Sequence, residues 1–214
     1  MNMKKNISFY YDLAEIFVLL MLPLPILHLN LLYVISVVII ILVSRWLRKE
    51  SWSAYGFLKV HFKPAIIAGV IGIGFGYADN YLIEPLITNL TGYTPDLSTY
   101  ESIQGNWLEY VLLLILGWVV GGFFEEFFFR GYLFHRIGKL IKHPLWFKIV
   151  SIGITSIVFA FAHNYQGMGG IIGTFYFSLV MGILYFVFKR NVWYLVLIHG
   201  FYDMVGITKL FLGH

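Results

Sequence analysis

Long apolar runs separated by short polar breaks dominate this chain, near residues 12–28, 31–46, 64–88, 107–142, 146–163, 168–188 and 191–212. About 20 apolar residues make one α-helix across a bilayer core, and in lipid each backbone polar group must be satisfied within its own helix. These constraints predict an all-α, polytopic transmembrane bundle of about seven to eight spans. An eighth short segment fits within 84–106. Composition agrees, since 59% of the 214 residues are hydrophobic and 12% charged, whereas soluble domains run near half apolar and a quarter charged. Little length is left for a soluble domain, so residues 1–214 read as a single integral membrane domain.

The start, Met1 to Lys5 followed by an apolar stretch, looks like a signal peptide, but Pro23 and Pro25 interrupt it and no small-residue cleavage pattern follows. We read it as a retained first helix. The tight break at His28–Asn30 predicts that the first two segments form a hairpin or tilted pair. If the seven segments alternate, 14 of the 15 Lys and Arg residues fall toward one side and only Lys209 toward the other. The positive-inside rule then puts the basic side, with the N-terminus, in the cytoplasm, and the loop from Glu84 to Trp107 outside. The net charge of +4 is therefore topological, and no basic run is dense enough for a nucleic-acid partner. No cysteine is present, which excludes disulfides, thiolate metal ligands and a cysteine nucleophile. Three small-xxx-small spacings, Gly72/Gly76, Gly117/Gly121 and Gly169/Gly173, allow close helix approach.

Ionisable groups inside apolar runs are expensive and mark functional sites by default. Glu125, Glu126 and Arg130 lie in the fourth segment, His163 ends the fifth, and His199 and Asp203 lie in the last. The fourth segment, ~54 Å long if continuous, outreaches a bilayer core and must project into the cytoplasm. Glu125 and His163 are each 19 residues from the break at Pro144, so an antiparallel helical hairpin puts them at one height. Glu126 and Arg130 are four apart and can pair on one face, while Glu125 points about 100° away, toward a cavity. His199 and Asp203, also four apart, can reach one point, and Phe159 lies one turn before His163. Each element has a plainer reading: a structural ion pair for Glu126 and Arg130, a loop residue for His163, a satisfied pair for His199 and Asp203. Asp79, Asn80 and Glu84 line a wet passage or end the third helix. His28, His61, His135, His143 and His214 lie at breaks or in basic stretches and receive no role.

A glycine-flanked serine nucleophile and an HExxH zinc motif are absent, and Gly74-Phe75-Gly76 followed by Asp79 misses the GxGD spacing. What remains is a carboxylate to activate water, histidines that can share its proton or bind a metal, and donors for an oxyanion. A carboxylate stripped of water becomes a stronger base, and amide hydrolysis needs all these parts in one water-accessible pocket.

The motifs EExxxR at Glu125–Arg130, FxxxH at Phe159–His163 and HxxxN/D at His199–Asp203 resemble, in that order, those of the CPBP family of intramembrane proteases, which includes CAAX prenyl proteases and bacteriocin-processing or immunity-type (Abi) proteins. The resemblance covers about residues 107–212. It implies a membrane endopeptidase in which Glu125 activates water with help from His163, Glu126 and Arg130 support the site, and His199 with Asp203 stabilises the oxyanion. The family has been described both as metal-dependent and as glutamate-type. We favour no cofactor, because a Zn²⁺ held by His163, His199 and Glu125 would occupy the carboxylate wanted as base. Asp203 stands where many members have Asn. An ionised Asp cannot donate a hydrogen bond, so it is protonated, or orients His199, or alters activity. The expected partners are a lipid bilayer and a peptide or membrane-protein substrate, a bacteriocin leader being one candidate, in the plasma membrane of a bacterium. Two other classes fit parts of the pattern: a divalent-cation transporter, through HxxxD with Asp79 and Glu84, and a non-catalytic bacteriocin immunity protein.

Overall fold

The computed structural model describes residues 2–22 and 31–213. The break expected at His28–Asn30, with Pro23 and Pro25, lies outside the described residues. Among the described residues the chain is helical and contains no strand. The helices are α1 (Asn2–Met21), α2 (Leu31–Arg48), α3 (Phe62–Thr91), α4 (Trp107–Leu140), α5 (Pro144–Ala162), α6 (Asn164–Val187, opening with a 3₁₀ turn) and α7 (Val192–Leu212). Each matches one expected apolar segment, although α1 begins at Asn2 and not near residue 12. Within 84–106 the chain completes α3 to Thr91 and then forms the six-residue 3₁₀ helix Ser98–Ile103.

Five of these helices, α3 to α7, are long and apolar enough to span a membrane. The first two fall outside that set. α1 carries Asp12 and Glu15, which pair with Arg48 at the end of α2 and with Arg136 on α4. The burial pattern is that of an integral membrane protein. Exposed helix faces are apolar, as at Val70, Leu108 and Ile183, while Glu126, Arg130 and Arg136 are fully buried.

Helix ends follow local chemistry. The Asn106 side chain accepts from the Glu109 N–H at 3.3 Å to open α4, and Asn191 accepts from the Trp193 N–H at 3.2 Å to open α7. Gly92, at φ 77°, closes α3 in the left-handed conformation that only glycine adopts without strain.

Close helix approach positions the site. α7 packs along α3 on one side and along the centre of α4 on the other, and α5 packs on α6. Gly72 and Gly76 let α3 meet α7, since a Cβ on Gly76 would lie 2.8 Å from Val205 Cβ and one on Gly72 would strike the Ile198 carbonyl. Gly117 and Gly121 do the same for α4 beside Asp203. Gly169 instead meets the backbone of Thr94 and Pro95, and Gly173 has open space around it. Two of the three small-residue spacings thus serve helix packing and the third serves a loop and a cavity.

The centre of α4, Gly117–Leu133, is wound as a π-helix between α-helical ends. Such winding is rare and gathers at functional sites. It carries Glu125, Glu126 and Arg130.

Candidate active site

Three helices deliver the polar groups to one cavity of about 760 Å³, within the range of small-ligand sites. Glu125 comes from α4, His163 from the end of α5, and His199 and Asp203 from α7; all four line it. Asp79, Asn80 and Glu84 of α3 line the same cavity, as the wet-passage reading expected, together with Lys209. The remaining wall comes partly from Tyr93, Pro95, Leu97 and Tyr100, in the loop between α3 and α4. That loop is tied to the α5–α6 turn by the Asp96 N–H donating to the Gln166 carbonyl at 2.8 Å.

Glu126 is the hub behind this cavity. Its Oε1 accepts from Arg130 Nη1 at 2.9 Å and from His199 Nδ1 at 2.9 Å, with Glu126 and Arg130 fully buried. The Arg130 pair matches expectation; the bond to His199 is a finding that α-helical spacing did not reveal. Arg130 Nη2 reaches on to Ser178 of α6, donating to its hydroxyl at 2.7 Å and its carbonyl at 3.1 Å. Its guanidinium lies over the Phe159 ring at 5.3 Å. A continuous buried chain, Ser178–Arg130–Glu126–His199, therefore joins α6, α4 and α7. Ser178 was missed in the sequence; its only signal is a hydroxyl inside an apolar run.

The two histidines are fixed at one ring nitrogen each. A carboxylate accepts, so His199 Nδ1 carries the proton in its bond to Glu126. His199 Nε2 then lies 3.6 Å from Asp203 Oδ1 and 3.9 Å from Glu125 Oε2. His163 Nδ1 is 2.8 Å from the Phe159 carbonyl. A carbonyl also only accepts, so a neutral His163 keeps its lone pair on Nε2. Phe159, one turn before His163, packs on it with ring centroids 4.6 Å apart and lies 6.4 Å from His199. Phe177 packs on the other ring at 4.6 Å.

A metal held by Glu125, His163 and His199 would need three donors aimed at one point. Among the described residues no group of three His, Asp or Glu side chains is so arranged. Both Nδ1 atoms are engaged by protein acceptors, which fixes each ring and leaves its Nε2 as the nitrogen open to the cavity.

At the basic end, Glu50 follows α2 and collects Tyr55 at 2.6 Å, Arg136 at 2.7 Å, His135 at 3.2 Å and Lys139. Burial alone would raise its pKa; the four donors outweigh it and hold the carboxyl below its ordinary value. His135, given no role from the sequence, belongs to this cluster.

Residues 107–205 match a family model, that of the type II CAAX prenyl endopeptidases described as Rce1-like. The matched stretch holds Glu125, Glu126, Arg130, Phe159, His163, His199 and Asp203. Neither the curated proteins nor the solved structures yield a match.

Proposed function

We propose that this chain, whose residues 107–205 belong to the Rce1-like family of type II CAAX prenyl endopeptidases, is an intramembrane endopeptidase that uses Glu125 and no metal. Its substrate is a membrane-associated peptide or protein of CAAX type, cut within the α4–α7 cavity. The observation that carries this reading is the convergence of Glu125, His163, His199 and Asp203, from three helices, on one cavity.

Hydrolysis then proceeds as follows. Water sits between the Glu125 carboxylate and the free Nε2 of His163. Glu125 takes its proton as the oxygen attacks the scissile carbonyl carbon. The resulting oxyanion receives a hydrogen bond from protonated His199 Nε2, whose ring Glu126 holds from Nδ1. On collapse the C–N bond breaks, and the proton held by Glu125 passes to the leaving amine. Products are a carboxylic acid and an amine, and the enzyme returns to its starting state. Asp203, 3.6 Å from His199 Nε2, acts on that ring. This is the orienting role, the choice left open for an acid at this position. The basic end of the bundle faces the cytoplasm, with the N-terminus.

The test is cleavage of a membrane-anchored CAAX peptide by protein reconstituted in liposomes. Glu125→Gln is expected to insert and fold normally yet cut at least about a thousandfold more slowly, a loss within the reach of general-base and electrostatic catalysis combined. Cleavage by that variant at the parent rate would remove the mechanism, and restoration of activity only by added Zn²⁺ would remove its metal-free form.

A further inference from the structure

A second cavity, of about 480 Å³, lies at the basic end of the bundle, remote from the carboxylates of the first. It is formed where the loop after α2 meets the end of α4, the start of α5 and the turn between α6 and α7. Lys139, Lys142, Lys189, Arg190 and His135 line it, and no Asp or Glu does. Lys139 is neutralised by Glu50. Among the described residues, Lys142, Lys189 and Arg190 form no ion pair; Lys142, just past the end of α4, only reaches the Gly138 carbonyl at 3.3 Å.

Backbone geometry adds a second, independent observation. Lys189 and Arg190 have φ of 54° and 63°, a left-handed conformation uncommon for residues with a Cβ and doubly so in succession. The turn is locked by Gly56, where any Cβ would lie 2.5 Å from the Arg190 carbonyl, and by the Val192 N–H donating to the Gly56 carbonyl at 2.9 Å. In this conformation two consecutive long cations line one cavity. The Arg190 guanidinium is further held over Phe147 and Phe186, at 5.3 and 5.8 Å. An immobilised guanidinium with two lysines and no acid is the donor set that suits phosphate oxygens. Trp146, beside the cavity on the first turn of α5, is exposed, as an aromatic at the membrane–water boundary would be.

We propose that this cavity binds a phosphate group, supplied either by the headgroup of an anionic phospholipid or by free phosphate. Bound there, the anion clamps the α6–α7 turn to α4 and α5. That turn leads directly into the helix carrying His199.

Native mass spectrometry on the full chain, released from nanodiscs of phosphatidylglycerol mixed with phosphatidylcholine, tests the assignment. The Lys142→Gln/Lys189→Gln variant leaves the packed Arg190 in place, and Lys59→Gln/Lys63→Gln is the charge-matched control. Two lysines at the membrane surface are worth roughly 30-fold in affinity. We expect the parent and the control to retain phosphatidylglycerol over phosphatidylcholine and the first variant to lose that preference by about that factor. Displacement of the bound lipid by inorganic phosphate, or protection of the parent but not the variant from thermal unfolding by phosphate alone, identifies free phosphate as the source; retention of lipid against phosphate identifies the headgroup. A parent with no preference for phosphatidylglycerol and no response to phosphate would overturn the proposal. So would equal behaviour of the two double variants.

Discussion

The proposed mechanism gives the neighbours Glu125 and Glu126 opposite duties, so replacing each by glutamine is expected to separate catalysis from stability. Glu126 Oε1 accepts from two donors at 2.9 Å, Arg130 and His199, in a fully buried setting. Glutamine keeps an acceptor oxygen but removes the charge, which leaves the buried Arg130 guanidinium with neutral acceptors only, that oxygen and the Ser178 hydroxyl and carbonyl. Breaking a buried ion pair from one side costs about 3–5 kcal/mol, and a retained hydrogen bond returns about 1. The new amide nitrogen would take the place of Oε2, which has no protein partner, so nothing further is recovered. A net loss of about 2–4 kcal/mol corresponds to a fall in unfolding midpoint on the order of 10 °C for a chain of this size. Glu125 Oε2 lies 3.9 Å from His199 Nε2, beyond hydrogen-bond reach, and Glu125→Gln is expected to move the midpoint by less than about 4 °C. Thermal unfolding of detergent-solubilised protein, read by tryptophan fluorescence, gives both numbers, and liposome cleavage gives the activities. An inactive but stable Glu125→Gln beside a destabilised Glu126→Gln fits the account. Equal destabilisation by both, or a stable Glu126→Gln, would refute the hub role of Glu126.

Other substitutions follow from the same geometry. Ser178→Ala removes the 2.7 Å bond from Arg130 but leaves the carbonyl bond, so a loss of about 1–2 kcal/mol is expected in the same unfolding assay. Asp203→Asn keeps an acceptor next to His199 and is expected to retain cleavage within about tenfold, whereas loss of a thousandfold would mean that the charge itself takes part. Glu50 is held below its ordinary pKa of 4.5 despite burial. Its contribution to stability is therefore complete above about pH 4.5 and lost as pH falls through the lower folded value. Unfolding midpoints between about pH 3 and pH 7 should show the parent's advantage over Glu50→Gln shrinking toward acid; a constant difference would contradict the Glu50 cluster.

The seven helices were readable because a bilayer-length apolar run has few alternatives, and α3 to α7 fall close to their expected bounds. The catalytic candidates were readable for the same reason, since a carboxylate or imidazole stands out in hydrocarbon. Relative rotation of helices was not. The bond between Glu126 and His199 needs the π-wound centre of α4, which has no periodicity to read, and the approach of α7, where the glycine spacing signals closeness but not rotation. Glu50 escaped notice because an acid in a basic stretch looks like an ordinary solvated charge. Only the fold of the loop back onto α4 shows that it gathers Arg136 and Lys139. The wall formed by Tyr93 to Tyr100 is held by the backbone hydrogen bond to Gln166 and by the close approach of Gly169 to Thr94 and Pro95, contacts no local pattern encodes.

Because the chain has no cysteine, a single introduced thiol can test whether the first cavity is where peptide bonds are cut. Gly173 lines that cavity and has no atom within 4 Å of a built Cβ, and Gly153 has equally open surroundings without lining it. Gly173→Cys should cleave substrate like the parent until a bulky, water-soluble maleimide is added, and then stop, while labelled Gly153→Cys continues. Full cleavage by completely labelled Gly173→Cys would contradict the account.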